Sequence, residues 1–458
     1  MAPKFGTSGL RGLVTELTPE LVADHIRAFV SSCDTGTALC IGRDLRPSSP
    51  RIAKDAADAA LAAGVRVIDC GEVPTPALAL AAQTLGAGAV MITGSHIPAD
   101  RNGIKFYSRT GEITKADETA ITGALGAEPV RAPQAQLEQD LSVNGAFEKR
   151  YVAACGANAL SGRRIGLYSH SAVGRDGLAR ILTGLGADVI ELGRSESFIP
   201  VDTEAVDPGT RAMIADWVAE HRLDALVSTD GDSDRPLLAD ETGTIVPGDI
   251  LGQITAQALA ADTVVTPISS NSGVTQKGFG AVERTRIGSP FVIAGMEAAG
   301  GNVVGYEANG GFLLGFEAEG PVGRIAPLVT RDCVLPLVMT LIAAGEGTLS
   351  ERVAKEPPVV TVADRLQEVP QDVSAPYVAS LAEDADVRAA FLGALGGTER
   401  ALDLTDGVRM VMTDGRTVHV RPSGNAPELR LYVEAGDPDG AADLLRDGLA
   451  QLRIALKL

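Results

Sequence analysis

The sequence predicts an α/β protein of four domains: three tandem α/β domains with mixed sheets, then a smaller C-terminal α+β domain. Three observations lead there. The chain has 458 residues, and at roughly 150 residues per domain that length calls for three or four cores. A short apolar run, a Ser/Gly/Asp turn and an Ala-rich helical pattern recur as one unit along the first two thirds. The remainder reads instead as short strands joined by Asp-Gly turns.

The recurring unit appears in ALCIGRDLRPSSPRIAKDAADAALAAG (38–64), in RRIGLYSHSAVGRDGLARILTGLG (163–186) and more weakly in DTVVTPISSNSGVTQKGFG (262–280). Each helical pattern is followed by another apolar strand, so βαβ units, with loops gathered at strand ends, are expected. After them, RALDLTDGVRMVMTDGRTVHVRPSG (400–424) and ELRLYVEAG supply alternating strands with DG turns, and DGAADLLRDGLAQLRIALKL supplies a closing helix. These changes divide the chain at 1–150, 151–250, 251–365 and 366–458, the last near the helix-breaking KEPPVV.

Composition narrows the function classes. With 45% apolar and 22% charged residues the chain is globular rather than disordered. A formal charge of −19 repels polyanions, so neither nucleic acid nor an anionic membrane is an expected partner. A small anionic ligand remains possible wherever Lys and Arg gather locally. The five cysteines (33, 40, 70, 155, 333) have no ligand spacing and fit reduced core thiols. MAPKFGTSGLRG lacks the apolar core of a signal peptide, and CVLPLVMTLIAAG (333–345) is shorter than the about 20 residues a bilayer requires. A cytoplasmic protein is expected.

Five stretches carry candidate chemistry. DGDSDRP (230–236) follows an apolar run, so Asp230, Asp232 and Asp234 lie on a strand-end loop. Carboxylates at i, i+2 and i+4 of an extended segment share one side and repel unless a cation lies among them. A hard cation such as Mg²⁺ resolves this, and a solvated acidic turn is the alternative. An EF-hand is set aside, because Arg235 stands where its loop wants glycine. In TGSHIPADRNGIK (93–105), Ser95 and His96 are adjacent, and neighbouring side chains diverge; no GxSxG elbow is present, which disfavours a serine hydrolase. A polar turn accounts for Ser95 taken alone, and less well for Lys105 just beyond an NG turn. FGTSGLRG (5–12), RPSGNAPELR (421–430) and RTRIGSP (284–290) combine glycine, hydroxyls and arginine in expected loops that suit phosphate oxygens. GYEANGGF (305–312) reads on local grounds as a hairpin whose NGG supplies positive φ; the alternative is that Glu307, at the edge of the turn, accepts hydrogen bonds from sugar hydroxyls.

Taken in order, these stretches resemble the α-D-phosphohexomutase family of phosphomannomutases, phosphoglucomutases and phosphoglucosamine mutases, and the resemblance spans essentially the whole chain. It implies four domains around a central active-site cleft: a phosphoserine-bearing, a metal-binding, a sugar-binding and a phosphate-binding domain. It further implies that Ser95 is the residue carried as phosphoserine. Asp230, Asp232 and Asp234 with Ser95 then hold Mg²⁺, assisted by Arg235, while Glu307 and Asn309 read sugar hydroxyls. Arg421, Ser423, Gly424, Asn425 and Arg430 form a distal phosphate loop, and Arg286 belongs with the substrate contacts. Ile97, Ala426 and Gly311 depart from the family pattern at positions that bear on sugar identity rather than on reaction class. The EANGG loop and RTRIGSP look most like the bacterial phosphomannomutases.

The implied reaction interconverts hexose 6-phosphate and hexose 1-phosphate, mannose being favoured, through a phosphoserine and a hexose 1,6-bisphosphate that also serves as activator. A carrier is needed because one fixed centre must face two distant oxygens in turn. Lys105 and Arg11 are the candidates for proton transfer; His96 either orients the loop or takes a direct part. Phosphoglucomutase or phosphoglucosamine mutase activity is the alternative within the family, and a non-catalytic sugar-phosphate or Ca²⁺ sensor is the alternative outside it. The expected partners are small sugar phosphates, and the expected assembly is a monomer or a homodimer.

Overall fold

The first recurring unit folds as its pattern dictates. In the computed structural model, which describes residues 3–6, 9–128, 135–423 and 427–458, strand Leu39–Arg43 leads into helix Ser49–Ala62 and returns as the parallel strand Val67–Glu72. The helix buries Ile52, Ala53, Ala56, Ala59 and Ala60. That three-and-four spacing makes one apolar stripe, and its small alanines let the helix sit close to the sheet. The chain divides into two compact units, Met1–Val264 with Gly288–Val353 and Val265–Ile287 with Ala354–Leu458.

In the first unit an eight-stranded mixed sheet runs in the order Lys4–Phe5, Leu10–Leu13, Arg101–Ser108, Gly88–Ile92, Leu39–Arg43, Val67–Glu72, Leu137–Gln139, with Gly111–Glu112 paired to Arg101–Ser108. Leu39–Arg43 is parallel to both Val67–Glu72 and Gly88–Ile92. Parallel neighbours release their loops at a common edge, so residues 44–48 and 93–100 emerge side by side. Antiparallel Arg101–Ser108 then returns from that edge, with Lys105 opposite Met91.

The second recurring unit gives strand Arg164–Tyr168, helix Arg175–Gly184 and parallel strand Asp188–Leu192. Ala225–Thr229 extends this sheet in parallel, and Pro236–Asp240 pairs antiparallel to it with Thr229 opposite Pro236. Residues 230–235 are therefore the tight connection of a hairpin. A second hairpin, Val303–Tyr306 with Phe312–Leu314, presents residues 307–311, and Leu328–Asp332 pairs with its far strand.

The third recurring unit differs from expectation. Thr263–Pro267 is a strand, but only a short 3-10 helix, Ser272–Gln276, follows it. SSNSGVTQKGFG lacks the alanines of the other two units, and the Asn271 side chain accepts the Gly273 N–H at 2.9 Å, a local bond that competes with helix propagation.

The second unit contains a five-stranded antiparallel sheet in the order Val360–Gln367, Glu428–Ala435, Thr417–Pro422, Val408–Met412, Glu399–Asp403. Gly407 (φ 77°) and Gly415 (φ 92°) take the left-handed backbone that its Asp-Gly turns require. Leu444 and Leu452 of helix Pro438–Leu456 join Leu366, Met410, Val418 and Leu431 in its core. The apolar stretch at 333–345 forms the ten-residue helix Val334–Ala343, and no described helix is long and apolar enough to cross a membrane. All five thiols are free, four of them buried.

His419 is buried on the second unit's sheet. Its Nε2 donates to the Asp406 carbonyl at 2.6 Å and its ring stacks on Tyr432. Burial pulls its pKa down from 6.5 to about 4. The unfolded chain therefore binds the proton that the fold excludes, so this contribution is complete above about pH 6.5 and drains away as the pH falls towards 4. The stability difference between wild type and His419→Phe should shrink by about 2 kcal/mol from pH 7.5 to pH 5. Urea unfolding, followed by amide exchange in Val408–Met412, checks this.

Candidate active site

The hairpin connection 230–235 concentrates negative charge. Asp230, Asp232 and Asp234 are each fully buried, and one carboxylate oxygen from each lies within 4.8 Å of the others. Sequence spacing alone would place them along an extended segment. Instead the connection is a turn in which Ser233 takes φ 54° and its N–H donates to the Asp230 carbonyl, so a tight turn rather than strand alternation gathers the carboxylates. Asp232 Oδ1 and Asp234 Oδ1 have no hydrogen-bond partner among the described residues. Three clustered, buried carboxylates, two of which keep an oxygen without a hydrogen bond, are the kind of donor set that a hard divalent cation takes, and the residues fit such an ion.

Ser95 reaches this cluster from the neighbouring sheet. It is 1% exposed, and its Oγ donates to Asp230 Oδ2 at 2.5 Å. Its backbone has φ 55°, a left-handed conformation that costs a non-glycine residue on the order of 1 kcal/mol. That conformation overturns the expectation that adjacent side chains diverge, because it swings Ser95 Oγ to 3.2 Å from His96 Nδ1. The pair is still not a hydrolase dyad. A guanidinium can only donate, so Arg235 Nη1, 3.0 Å from His96 Nδ1, occupies that nitrogen's lone pair. Burial, then the charges of Arg235 and Arg11, lowers the His96 pKa to about 3, and the ring is neutral.

Lys105 Nζ bridges Asp232 Oδ2 at 2.5 Å and Asp234 Oδ2 at 2.6 Å. The NG turn expected before it does not form: Asn102 and Gly103 lie within strand Arg101–Ser108. A Cβ at Gly103 would meet the Leu10 carbonyl at 2.5 Å and the Thr93 carbonyl at 2.9 Å, so its glycine serves close strand packing. Arg11 likewise sits in a strand, Leu10–Leu13, opposite Gly103, rather than in the expected loop. Burial, then the charges of Arg235 and Arg331, lowers its pKa to about 10, against the opposing pull of Asp232 and Asp234.

Three residues of the network carry no obvious motif in the sequence. Arg331 donates to Asp234 Oδ2 through Nη2 at 2.7 Å and to Glu307 Oε2 through Nη1 at 3.2 Å. Its signal was an Arg-Asp pair inside the apolar run LVTRDCVLPL. Thr75 donates to Asp232 Oδ2 at 2.6 Å from the start of helix Thr75–Leu85. Arg46, in the RDLRPSS turn, contacts the Ser95 loop. The charges separate in consequence. Burial and then its two carboxylate neighbours push Asp230 well up, whereas Asp234, against equal burial, is held far below the usual range by Arg331, Lys105 and Arg235.

The remaining candidates fall in two places. Glu307 is buried on the 303–314 hairpin against Arg331, and Asn309, also buried, accepts the Gly311 N–H through Oδ1 at 3.0 Å. The second unit holds the others. Arg286 is exposed after strand Ala281–Thr285. Arg421 and Arg430 face each other across the strand pair Thr417–Pro422 and Glu428–Ala435, a like-charged pairing that is unfavourable without an anion or acid nearby. Asp406 Oδ1 accepts from Arg421 Nε at 2.7 Å, and Glu428 Oε2 lies 3.4 Å from Arg430 Nη2. Buried Ser423 donates its N–H to the Glu428 carbonyl at 2.8 Å. Gly424 and Asn425 lie outside the described residues.

Comparison with known proteins covers the whole chain. It matches phosphoglucomutase/phosphomannomutase alpha/beta/alpha domain I over residues 2–129, domain II over 147–243, domain III over 240–359 and the C-terminal domain over 362–452. A phosphomannomutase of Sinorhizobium fredii is 47% identical, with 100% of both chains covered. A phosphomannomutase of Salmonella muenchen is 40% identical, covering 99% of this chain and 96% of its own. The crystal structure of a phosphoglucomutase/phosphomannomutase family protein from Burkholderia thailandensis superposes with a TM-score of 0.79 at 21% identity, covering 98% of this chain and 97% of that one.

Arg331 is a test of the charge network. Arg331→Met strands Glu307 and removes one of the cations on Asp234, and should destabilise the protein by about 3 kcal/mol or more. Adding Glu307→Gln to that variant should recover part of the loss. Denaturant unfolding of the two variants measures both effects.

Proposed function

The chain belongs to the phosphoglucomutase/phosphomannomutase family, and on that premise we propose that it interconverts hexose 6-phosphate and hexose 1-phosphate, with mannose as the hexose, through phosphorylated Ser95 and a 1,6-bisphosphate. The observation that carries the reading is the buried hydrogen bond from Ser95 Oγ to Asp230, one carboxylate of a cluster suited to a divalent cation. A hydroxyl there is well sited to take up and release a phosphoryl group. The two phosphomannomutase relatives support mannose as the sugar.

In the forward direction a hydroxyl oxygen of the bound sugar phosphate attacks the phosphorus on Ser95. The new P–O bond forms, the P–Oγ bond breaks, the hydroxyl proton passes to a protein base, and the departing Ser95 Oγ takes a proton from a protein acid to become the free hydroxyl. The bisphosphate then reorients, and Ser95 Oγ takes back the other phosphoryl group by the reverse step. Lys105 and Arg11 are the proposed proton carriers, and the lowered pKa of Arg11 makes its neutral form less costly than in water. Arg235 and Arg331 offset charge around Asp234, and neutral His96 is positioned by Arg235. Glu307 and Asn309 are proposed to read sugar hydroxyls. Arg421, Ser423 and Arg430, together with Gly424, Asn425 and Arg286, are proposed to bind the non-reacting phosphate. Mg²⁺ held by Asp230, Asp232, Asp234 and the Ser95 oxygen would supply Lewis-acid stabilisation of charge on the transferring group.

The test is a coupled assay with mannose 1-phosphate, glucose 1-phosphate and glucosamine 1-phosphate, each with Mg²⁺ and a trace of bisphosphate. Mannose 1-phosphate should turn over fastest; preference for another sugar would correct the specificity while keeping the reaction class. Intact-mass spectrometry should find a phosphoryl adduct on Ser95, and Ser95→Ala should lose both adduct and activity. Asp232→Asn should lower kcat by about 100-fold or more. An active Ser95→Ala enzyme would exclude the carrier mechanism.

A further inference from the structure

Arg46 is among the largest fully buried side chains in the molecule. It lies just beyond strand Leu39–Arg43, and because that strand is parallel to Gly88–Ile92, the Arg46 turn and the Ser95 loop leave the sheet at the same edge. Each of its five N–H groups is used. Nε donates to Asp44 Oδ2 at 3.2 Å, Nη1 to the Pro98 and Arg101 carbonyls at 2.8 and 3.0 Å, and Nη2 to the Ser95 and Ile97 carbonyls at 2.9 and 2.5 Å. Four of the five bonds thus hold main-chain oxygens between Ser95 and Arg101, three in the loop containing left-handed Ser95 and one at the start of the strand that follows it.

The surroundings are fitted to this side chain. A Cβ at Gly94 would lie 2.7–2.9 Å from the guanidinium atoms, so glycine there allows the loop to wrap the head group. Asp44 also accepts from Thr93 Oγ1 at 2.7 Å, and Thr93 Oγ1 accepts the Ser95 N–H at 2.8 Å, which ties both sides of Ser95 to the same anchor. The Phe198 ring covers the guanidinium, 4.0 Å from its carbon to the ring centroid. A Cβ at Gly231 would touch both that ring, at 3.0 Å, and the Ser95 carbonyl, at 2.7 Å. The Arg46 head group therefore sits where the serine loop meets the aspartate turn.

We propose that Arg46 is a positioning residue for phosphoryl transfer: its guanidinium fork holds the Ser95 loop in the strained conformation that aims Oγ at Asp230, and Phe198 holds the fork. This rests on the phosphoserine mutase reading above. Arg46 touches neither substrate nor transferring group, so its removal should act on the chemical step rather than on substrate binding. A lysine keeps the charge but cannot span four carbonyls. A displacement of Ser95 Oγ by about an ångström is enough to cost on the order of 100-fold in rate.

The experiment compares wild type, Arg46→Lys and Phe198→Leu by steady-state kinetics, single-turnover phosphorylation of Ser95 from the bisphosphate, and hydrogen exchange. For Arg46→Lys, kcat and the phosphorylation rate should both fall about 100-fold, with KM within about twofold and faster exchange confined to amides 94–101. Phe198→Leu should show the same pattern with a smaller loss. A folded Arg46→Lys enzyme that keeps its kcat, or loses activity through KM instead, overturns the proposal. Should Arg46→Lys not fold, Phe198→Leu decides: unchanged kcat and unchanged exchange overturn it equally. Wild type without turnover on any of the three sugar phosphates defeats the mutase reading itself, an outcome separate from an active wild type with an equally active Arg46→Lys.

Discussion

Three carboxylates held within 4.8 Å of one another and out of water repel strongly, and the first unit is arranged around that repulsion. Desolvation alone would neutralise all three. The fold instead feeds cations in from different strands: Lys105 from Arg101–Ser108 and Arg331 from Leu328–Asp332, with Arg235 from the turn itself. Their unequal distribution holds the Asp234 pKa far below the usual carboxylate range while burial and its carboxylate neighbours push that of Asp230 up, and Asp230 is the one that accepts from Ser95. The site thus has a charged side and a side that can exchange hydrogen bonds with a hydroxyl.

Such a network constrains the backbone as much as the side chains. The Asp turn and the Ser95 loop both contain a serine in the left-handed region, Ser233 and Ser95, conformations that persist only where surrounding contacts over-determine them. For Ser233 those contacts are its N–H to the Asp230 carbonyl and its hydroxyl beside Thr229. For Ser95 they are the Thr93 hydroxyl and the Arg46 fork. Strain is therefore located where the proposed chemistry needs two oxygens to face each other, and is offset by buried hydrogen bonds nearby.

Much of this was legible in one dimension. The two Ala-rich units, the DG-turn strands and the hairpin around Glu307 follow from periodicity and turn chemistry, which are local properties. The acidic cluster and Ser95 could be picked out because like charges and hydroxyl–basic combinations are unusual at such density. The third unit misleads because its apolar strand suggests the same helix after it, whereas Asn271 and the following glycines favour a short turn. Gly103 misled because NG suggests a hairpin, while here the missing side chain is needed for strand contact.

Residue types, their local periodicity and their turn signals determined by themselves which strands and helices form and which side chains are chemically suited to metal and phosphate. Only tertiary structure decided that Arg331 pairs with Asp234, that Arg46 gathers four carbonyls around Ser95, and that Ser95 and Asp230, 135 positions apart, meet in one hydrogen bond. Partners so distant meet only after sheets have stacked. An arginine that ends up buried looks, in the sequence, like any of the arginines that remain in water.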